Sequence, residues 1–254
     1  MSIRSSSLTI LVALFVGALS TPANAAGPNT VHYTVDAAMI GTGVDADAVG
    51  RVQALVKQQG RSDRQRLRVT ANHLDPRTTY TLLAQVGASP DWVTVTNFTT
   101  SSAGRASVIY VQSAAGSASR RALPQLLNSV TDVRAVAIAT PDGYIVLSAN
   151  LHEAETMRFE LTSVFDNTGS DPFAVGVVAM ACQKGLVQFR LFAAAQSSQL
   201  VFCVNDNPVA TYAADGAGRF SAGVLPNSAP SPLLFKTMSL RNAGEDVVLQ
   251  SDVR

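Results

Sequence analysis

Apolar and polar residues alternate along most of this chain. The clearest stretch is 66–74, where Leu67, Val69 and Ala71 share one face and the intervening residues are polar or charged. A period of two residues is typical of a half-buried β-strand. Segments rich in Val, Ile, Thr and aromatic residues predict further strands at 80–86, 92–99, 106–112, 133–139, 144–151, 158–165, 174–182, 186–193, 200–204, 218–224 and 247–251.

Turn signals separate these segments. They include Asp-Pro at 75–76, Pro-Asp-Gly at 141–143 and Asp-Gly at 215–216. Strands that recur about every ten residues without long helices between them predict antiparallel sheets packed face to face. We therefore expect an all-β fold.

Two segments have a helical alternative. Residues 45–59 could form an amphipathic helix that begins at Asp45, but the counterpart segment 174–182 is dominated by Val, so we favour a strand for both. Residues 116–129 are the better candidate for a helix, and Pro124 within them predicts that it is short.

The chain contains three pairs of similar segments in the same order. Residues 45–50 are echoed 126 positions later at 171–176, residues 98–105 are echoed 114 positions later, and residues 144–147 are echoed 102 positions later. Shorter loops in a second copy would produce this shrinking offset. An internal duplication therefore predicts two tandem antiparallel Ig-like β-sandwiches, at 26–152 and 158–254, joined by a linker at 153–157.

The amino-terminal segment has the order of a secretory signal peptide. Arg4 precedes an apolar run at 8–19, and small residues lead to Ala23-Asn24-Ala25. The apolar run is too short to span a bilayer, which takes about 20 residues. We predict a Sec-type signal peptide over 1–25, cleavage after Ala25, a secreted or periplasmic mature chain, and no membrane span in it.

The overall charge is balanced. The chain has 19 Lys and Arg against 18 Asp and Glu, and Arg4 belongs to the predicted signal peptide. Nucleic-acid binding depends on clustered cations, and attraction to anionic lipid depends on excess positive charge. Composition therefore argues against both partners and favours an extracellular or envelope protein or a glycan.

Cys182 and Cys203 are the only cysteines. In an oxidising compartment a pair of cysteines predicts a disulfide, which would close a loop in the second copy. The alternative is two buried thiols.

The sequence lacks the common catalytic motifs. There is no Gly-x-Ser-x-Gly, His-Glu-x-x-His or Walker-type loop, and His32, His73 and His152 stand apart from one another. Glu153 and Glu155 lie in the predicted linker, where solvated charges are the ordinary interpretation. We therefore expect a protein that is not an enzyme and has no cofactor, apart from the calcium ion considered next.

One acidic loop could hold calcium. Residues 166–171 supply two carboxylates, an amide, a hydroxyl and a glycine turn, and the candidate ligands are Asp166, Asn167, Ser170 and Asp171. The loop lacks the closing Glu of an EF-hand, so a plain connecting loop is the competing interpretation.

Trp92 is the only tryptophan, and it follows the Ser-Pro-Asp turn at 89–91. An exposed aromatic at the start of a strand could stack on a sugar ring. Packing at a sheet edge is the alternative.

Strand and turn residues at 67–69, 75–82, 98–100 and 104–105 resemble secreted bacterial tandem Ig-like β-sandwich domains without an assigned activity. The resemblance covers most of each copy and implies the fold, but it transfers no functional residue. In the second copy the Asp-Pro turn is replaced by the segment 196–201.

These observations predict a secreted, non-enzymatic protein that serves in binding, adhesion or envelope structure. The alternative is a carbohydrate-binding module or a hydrolase with a site at the junction of the copies. A groove lined by His152, Glu153 and Trp92 would favour that alternative.

Overall fold

The computed structural model describes residues 29–59, 62–112, 120–183, 186–225, 227 and 229–253. These residues form eighteen strands and three 3-10 helices of three residues each. The predicted all-β class is confirmed. None of the helices in this part of the chain is long and apolar enough to cross a membrane. The predicted signal peptide at 1–25 lies outside the described residues.

Nine strands belong to the first half of the chain and nine to the second. The first nine are β1 (Thr30–Gly41), β2 (Val49–Gln59), β3 (Ser62–Asn72), β4 (Thr79–Val86), β5 (Val93–Thr99), β6 (Ala106–Val111), β7 (Arg121–Ala122), β8 (Val133–Ala139) and β9 (Ile145–Asn150). The other nine are β10 (Arg158–Val164), β11 (Asp166–Asn167), β12 (Val175–Gln183), β13 (Leu186–Ala194), β14 (Gln199–Val204), β15 (Asn207–Ala213), β16 (Arg219–Ala222), β17 (Thr237–Arg241) and β18 (Val247–Asp252). The 3-10 helices are Gln125–Leu127, Val130–Asp132 and Pro232–Leu234.

The ambiguous segment 45–59 contains a strand. β2 pairs with β1 on one side and with β3 on the other. Val52, Ala54 and Val56 are buried and alternate with more exposed residues, so the period is two. The preference for a strand is correct over the range of β2.

The helix expected at 116–129 is not found in the described residues 120–129. They form the two-residue β7 and a single 3-10 turn. Pro124 has an extended backbone, with φ of −62° and ψ of 139°. Proline lacks an N–H and also disfavours helical geometry in the residue before it, which accounts for the difference.

The two halves have the same order of strand pairing. In the first, β1, β2, β3 and β6 are neighbours, while β9, β8, β4 and β5 form the opposite layer. The last two residues of β1, Ile40 and Gly41, leave the first layer to pair with β9. In the second half, β10, β12, β13 and β16 are neighbours, and β11, β18, β17, β14 and β15 form the other layer. Inward side chains of both layers form a buried core.

Corresponding turns use the same hydrogen bonds. The amide of Gly104 donates to the Ser101 carbonyl oxygen at 3.0 Å, and the amide of Gly218 donates to the Asp215 carbonyl oxygen at 3.0 Å. The Ser101 hydroxyl accepts the Arg105 amide at 3.1 Å. The Asp215 carboxylate accepts the amide of Arg219 at 3.0 Å, and such backbone hydrogen bonds lower the pKa of Asp215.

Two further glycines occupy matching tight places. A Cβ on Gly50 would lie 2.8 Å from the Met39 sulfur, and one on Gly176 would lie 3.0 Å from Leu249 and 3.1 Å from Phe165. Gly50 and Gly176 therefore let β2 and β12 approach side chains of the core closely.

The halves are joined by direct strand pairing. Thr30–Thr34 of β1 pair with Arg158–Thr162 of β10 in antiparallel register. Tyr33 and Phe159 are directly opposite one another and fully buried. The sheet therefore continues from one half into the other, and the predicted linker 153–157 lies in the short connection between β9 and β10.

A polar contact reinforces this junction beside β1. The Asn29 amide donates to the Asp252 carbonyl oxygen at 2.5 Å, and its side-chain oxygen accepts the Ser163 hydroxyl at 2.7 Å. Ser163 and Ser251 are buried and hydrogen bonded to each other. The residue preceding β1 is thus held by strands of the second half.

Gly104 provides a test of the turn geometry. Its φ is +67°, and a Cβ there would lie 2.1 Å from the Leu74 carbonyl oxygen, whereas Gly143 has a φ of +87° and nothing within 4 Å. We expect Gly104→Ala to lower the free energy of unfolding by about 3 kcal/mol, because a steric clash adds to left-handed strain. Gly143→Ala, the matched control, should cost about 1 kcal/mol from backbone strain alone. Urea denaturation measures both, and equal losses would contradict the close approach at Leu74.

Candidate functional site

The sequence-predicted candidates lie in separate places. Trp92 precedes β5, a strand that pairs with β4, and its side chain is partly exposed. It does not line any of the three grooves described below. A role for Trp92 in ligand stacking stays a prediction.

The acidic loop uses most of its polar atoms internally. The two carboxylate oxygens of Asp171 accept the amides of Phe173 at 3.1 Å and Gln196 at 2.6 Å. The Asn167 amide donates to the Asp171 carbonyl oxygen at 2.7 Å and accepts the Gly169 amide at 2.7 Å. These bonds make the loop a closed connection between β11 and β12.

The other two candidate calcium ligands are Ser170 and Asp166. The Ser170 hydroxyl donates to the Val247 carbonyl oxygen at 2.7 Å, and Asp166 is exposed on β11. Within the described residues, no three His, Cys, Asp or Glu side chains converge as a metal site. The loop therefore offers few free ligands to a calcium ion.

The predicted disulfide is not present in this structure. Cys182 and Cys203 are both unbonded and buried. Cys182 shares the inward face of β12 with Val178 and Met180. Cys203 lies opposite Ser239 on β17, and its thiol contacts the Val201 carbonyl oxygen at 4.0 Å. The two thiols belong to different layers, and the sequence spacing does not reveal which face each one occupies.

The residues proposed for a junction site lie outside the linings of the grooves described below. The His152 ring contacts the Thr131 carbonyl oxygen at 3.0 Å. Glu153 and Glu155 are exposed in the connection after β9. None of these three side chains lines the grooves described below.

A groove does lie where the two halves meet, built from other residues. Two depressions of about 410 and 560 Å³ share Asn128, Asp132 and Lys236, so they are continuous. Asn128 and Asp132 come from the segment that leads into β8, whereas Lys236 precedes β17. We call this feature the junction groove.

Amide side chains dominate the polar lining of the junction groove. It includes Gln58, Gln65, Gln112, Asn128, Asn205 and Asn207. Amides both donate and accept hydrogen bonds without carrying charge. The remaining lining is apolar, small or charged, and the charged members are Asp63, Asp132 and Lys236.

The first-half wall is a hydrogen-bonded network around Asp63. One carboxylate oxygen of Asp63 accepts the amides of Gln112 at 2.7 Å and Gln65 at 3.1 Å. The Gln65 oxygen accepts the Val130 amide at 2.9 Å and the Ser129 hydroxyl at 3.2 Å. The wall is thereby fixed to the Val130–Asp132 helix.

The other oxygen of Asp63 is buried and has no hydrogen-bond partner. Burial of a carboxylate oxygen without a partner costs free energy, because the oxygen gives up hydrogen bonds to water and forms none within the protein. Asp63 lines the junction groove, so a small movement of its side chain would let a ligand donate a hydrogen bond to this oxygen.

The second-half wall is built on the tight turn between β14 and β15. Asn205 has a φ of 49° and Asp206 a φ of 65°, as a two-residue hairpin turn requires. The Asn205 oxygen accepts the Lys236 amide at 2.7 Å, and its nitrogen donates to the Leu234 carbonyl oxygen at 3.0 Å. These bonds hold the Lys236 backbone against the turn while its side chain remains exposed.

Ser129 and His152 both contact Thr131, which lies in the Val130–Asp132 helix. The Ser129 hydroxyl contacts Gln65 at 3.2 Å and the Thr131 hydroxyl at 2.8 Å. His152 contacts the Thr131 backbone instead. The arrangement is suited to holding a polar ligand.

A second groove lies on the outer face of the second half. It has a volume of about 630 Å³ and is lined mainly by apolar residues of β12, β13 and β16, among them Val175, Val177 and Phe192. It is larger than either part of the junction groove, but residues of one half alone line it. Its exposed side chains include Val175 at 56% and Phe192 at 52% exposure.

The reactivity of the two thiols tests whether Cys182 and Cys203 are buried and unbonded. Burial raises the pKa of Cys182 and is the largest cause that raises the pKa of Cys203. A raised pKa leaves less thiolate, the reactive form, at neutral pH. We expect mass spectrometry after alkylation to find two modified cysteines in denatured protein and almost none in native protein at pH 7. An intact mass that shows the loss of two hydrogens, with no alkylation after denaturation, would contradict this account.

No protein-family model matches this sequence, and no curated protein matches it. The choice of a functional site therefore depends on the residues themselves. Of the features above, the junction groove is the one to which both halves of the chain contribute polar side chains.

Proposed function

We propose that this chain is a secreted or periplasmic, non-enzymatic binding protein whose ligand occupies the junction groove. The observation that carries the proposal is the buried, unpartnered oxygen of Asp63 in a groove lined by amides from both halves. Four other buried polar atoms in the described residues also lack a partner, namely the Tyr33, Tyr110 and Tyr212 hydroxyls and Arg241 Nε, and Asp63 is the one of the five residues that lines this groove. The proposal of secretion is supported by the amino-terminal segment, whose sequence has the order of a signal peptide.

A neutral glycan is the ligand class that fits this lining. Sugar hydroxyls donate and accept hydrogen bonds, as do the side-chain amides of Gln58, Asn128 and Asn207. A hydroxyl could also donate to the free Asp63 oxygen. Among the described residues, none of those that line the groove is aromatic, so recognition would depend on hydrogen bonds rather than on ring stacking. This favours a binding module over a hydrolase.

We also propose that the halves arose by internal duplication of one β-sandwich unit. The matched order of strand pairing supports this, as do the matched turns at Gly104 and Gly218 and the matched glycines Gly50 and Gly176. Antiparallel strands in two layers are also found in Ig domains, but there the order is A-B-E-D and C-F-G. Here the first three strands of the first half are direct neighbours, so the likeness to Ig domains concerns the architecture.

Two neighbouring residues on β2 allow a matched test. Gln58 lines the junction groove, whereas Lys57 is exposed on the opposite face of the same strand. We expect the mature protein to bind members of a neutral glycan array, and Gln58→Ala to weaken that binding about fivefold or more by removing one net hydrogen bond. Lys57→Ala should leave it unchanged.

Circular dichroism and thermal unfolding would first establish that both variants fold as the wild type does. Equal affinities of the wild type and Gln58→Ala for every bound neutral glycan would contradict a ligand in the junction groove. Absence of binding to the whole neutral array would contradict the ligand class, and hydrolysis of any array member would contradict the non-enzymatic function.

A further inference from the structure

Although the charges of the whole chain nearly balance, one part of its surface is cationic. Three arginines on β3, namely Arg64, Arg66 and Arg68, are exposed and alternate with residues of lower exposure. Alternation places all three on the outer face of the sheet. We call this set the arginine row. It spans about 13 Å, since a strand rises about 3.3 Å per residue.

Neighbouring strands add further positive charge to this face. Lys57 on β2 lies directly opposite Arg64. Arg120 joins Arg64 and Arg66 in lining a groove of about 530 Å³. Five cations therefore lie on or beside one part of the outer face of the sheet.

Acidic residues do not neutralise the arginine row. Asp36, on β1, is engaged by Arg51, whose hydrogen bond lowers the pKa of the Asp36 carboxyl. Asp63 lines the groove beside Arg64 and Arg66, but it accepts hydrogen bonds from Gln65 and Gln112 and forms no ion pair with an arginine. Glu160 lies on β10, and His32 separates it from Lys57 in the register. In the part of the chain that the structure describes, the cations at 57, 64, 66, 68 and 120 form no ion pair.

Aliphatic side chains lie between the cations. Arg66 has Leu55 opposite it on β2 and Val111 opposite it on β6. Both are partly buried, and both line the groove beside Arg66. The surface therefore combines a line of guanidinium groups with flat apolar contacts on either side.

We infer that the arginine row binds an acidic polysaccharide. Guanidinium groups pair with carboxylates or sulfates through two parallel hydrogen bonds. Anionic groups that recur along a linear sugar chain could engage successive arginines, and the C–H faces of the sugar rings could pack on Leu55 and Val111. The arginines do not line the junction groove, but the groove beside them adjoins it at Asp63, Gln65 and Gln112. The inference does not depend on the function proposed for the junction groove.

Two other anionic partners fit the surface less well. Single-stranded nucleic acid is bound on aromatic platforms, and the outer faces of the described parts of β2, β3 and β6 carry no aromatic residue. A bilayer would need exposed apolar anchors near the cations. The exposed Val49 lies at the other end of β2 from Lys57, about 26 Å away along the strand.

The test compares two triple variants of the mature protein with the same change in net charge. The first replaces Arg64, Arg66 and Arg68 with Gln; the control replaces Arg77, Arg105 and Arg190, which are also exposed, with Gln. Fluorescence anisotropy measures binding to labelled polygalacturonate, with labelled neutral dextran as the uncharged probe. Thermal unfolding establishes that both variants fold.

We expect wild-type protein to bind polygalacturonate and to lose about tenfold or more in affinity between about 20 and about 200 mM salt. The row variant should bind at least tenfold more weakly at low salt, whereas the control variant should lose less than threefold. Gln58→Ala should leave polygalacturonate binding unchanged, which separates this surface from the junction groove.

Several outcomes would overturn the proposal. One is an equal loss in both triple variants, which would mean that only net charge matters. Another is binding of a single-stranded oligodeoxynucleotide, or of phosphatidylglycerol vesicles, as tight as binding of polygalacturonate. A third is binding of dextran as tight as that of polygalacturonate. Failure of wild-type protein to bind polygalacturonate at low salt would also refute it.

Discussion

Pairing between β1 and β10 is the constraint on which the rest of this structure depends. Five consecutive residue pairs join the two strands, from Thr30 opposite Thr162 to Thr34 opposite Arg158. The inward side chains at this seam, Tyr33 and Phe159, are buried among residues of both halves. Burial of two such rings contributes several kcal/mol that neither half would have alone. The halves therefore share one core.

The seam also positions both surfaces to which we assign binding. Because β1 and β10 are fixed side by side, the turn at Asn205 lies near the Val130–Asp132 helix, and the junction groove forms between them. On the opposite side the same sheet presents its outer face without interruption from β6 to β16. Cations collect at the first-half end of this face and apolar residues at the other. One strand pairing thus positions a polar groove and a charged surface, and the two adjoin at Asp63, Gln65 and Gln112.

Much of the fold can be predicted from the sequence because it depends on local patterns. Alternation at 66–74 predicts β3, and turn residues such as Gly104 predict where strands end. The seam could not be predicted in this way. Residues of β1 and β10 are more than a hundred positions apart, and nothing in the pattern of Thr30–Gly41 distinguishes a strand with one neighbour from a strand with two. The predicted helix at 116–129 is wrong in its described part because Pro124 favours an extended backbone there.

The candidate sites show the same contrast between features that depend on local sequence and features that depend on distant residues coming together. Trp92 and the acidic loop drew attention because of residue type, yet the junction groove is lined by ordinary Gln and Asn residues from distant segments. Residue type gives little signal for such a set. Cys182 and Cys203 are close enough in sequence to suggest a bond, but Cys182 lies on the inward face of β12, whereas the fully buried residues of β14 are the neighbours of Cys203, Phe202 and Val204. Net charge near zero argued against anionic partners, whereas charge segregation along β3 depends on which face each residue occupies.

The most direct test of this account is nuclear magnetic resonance of the mature protein across the β1–β10 seam. Antiparallel pairing brings opposed backbone atoms of neighbouring strands within the range of the nuclear Overhauser effect. We predict cross-peaks between the backbones of Val31 and Leu161 and of Tyr33 and Phe159, with slow amide exchange along both strands. Absence of these cross-peaks, together with rapid exchange along the β1–β10 edge, would show that the halves are not joined in one sheet and would contradict the account.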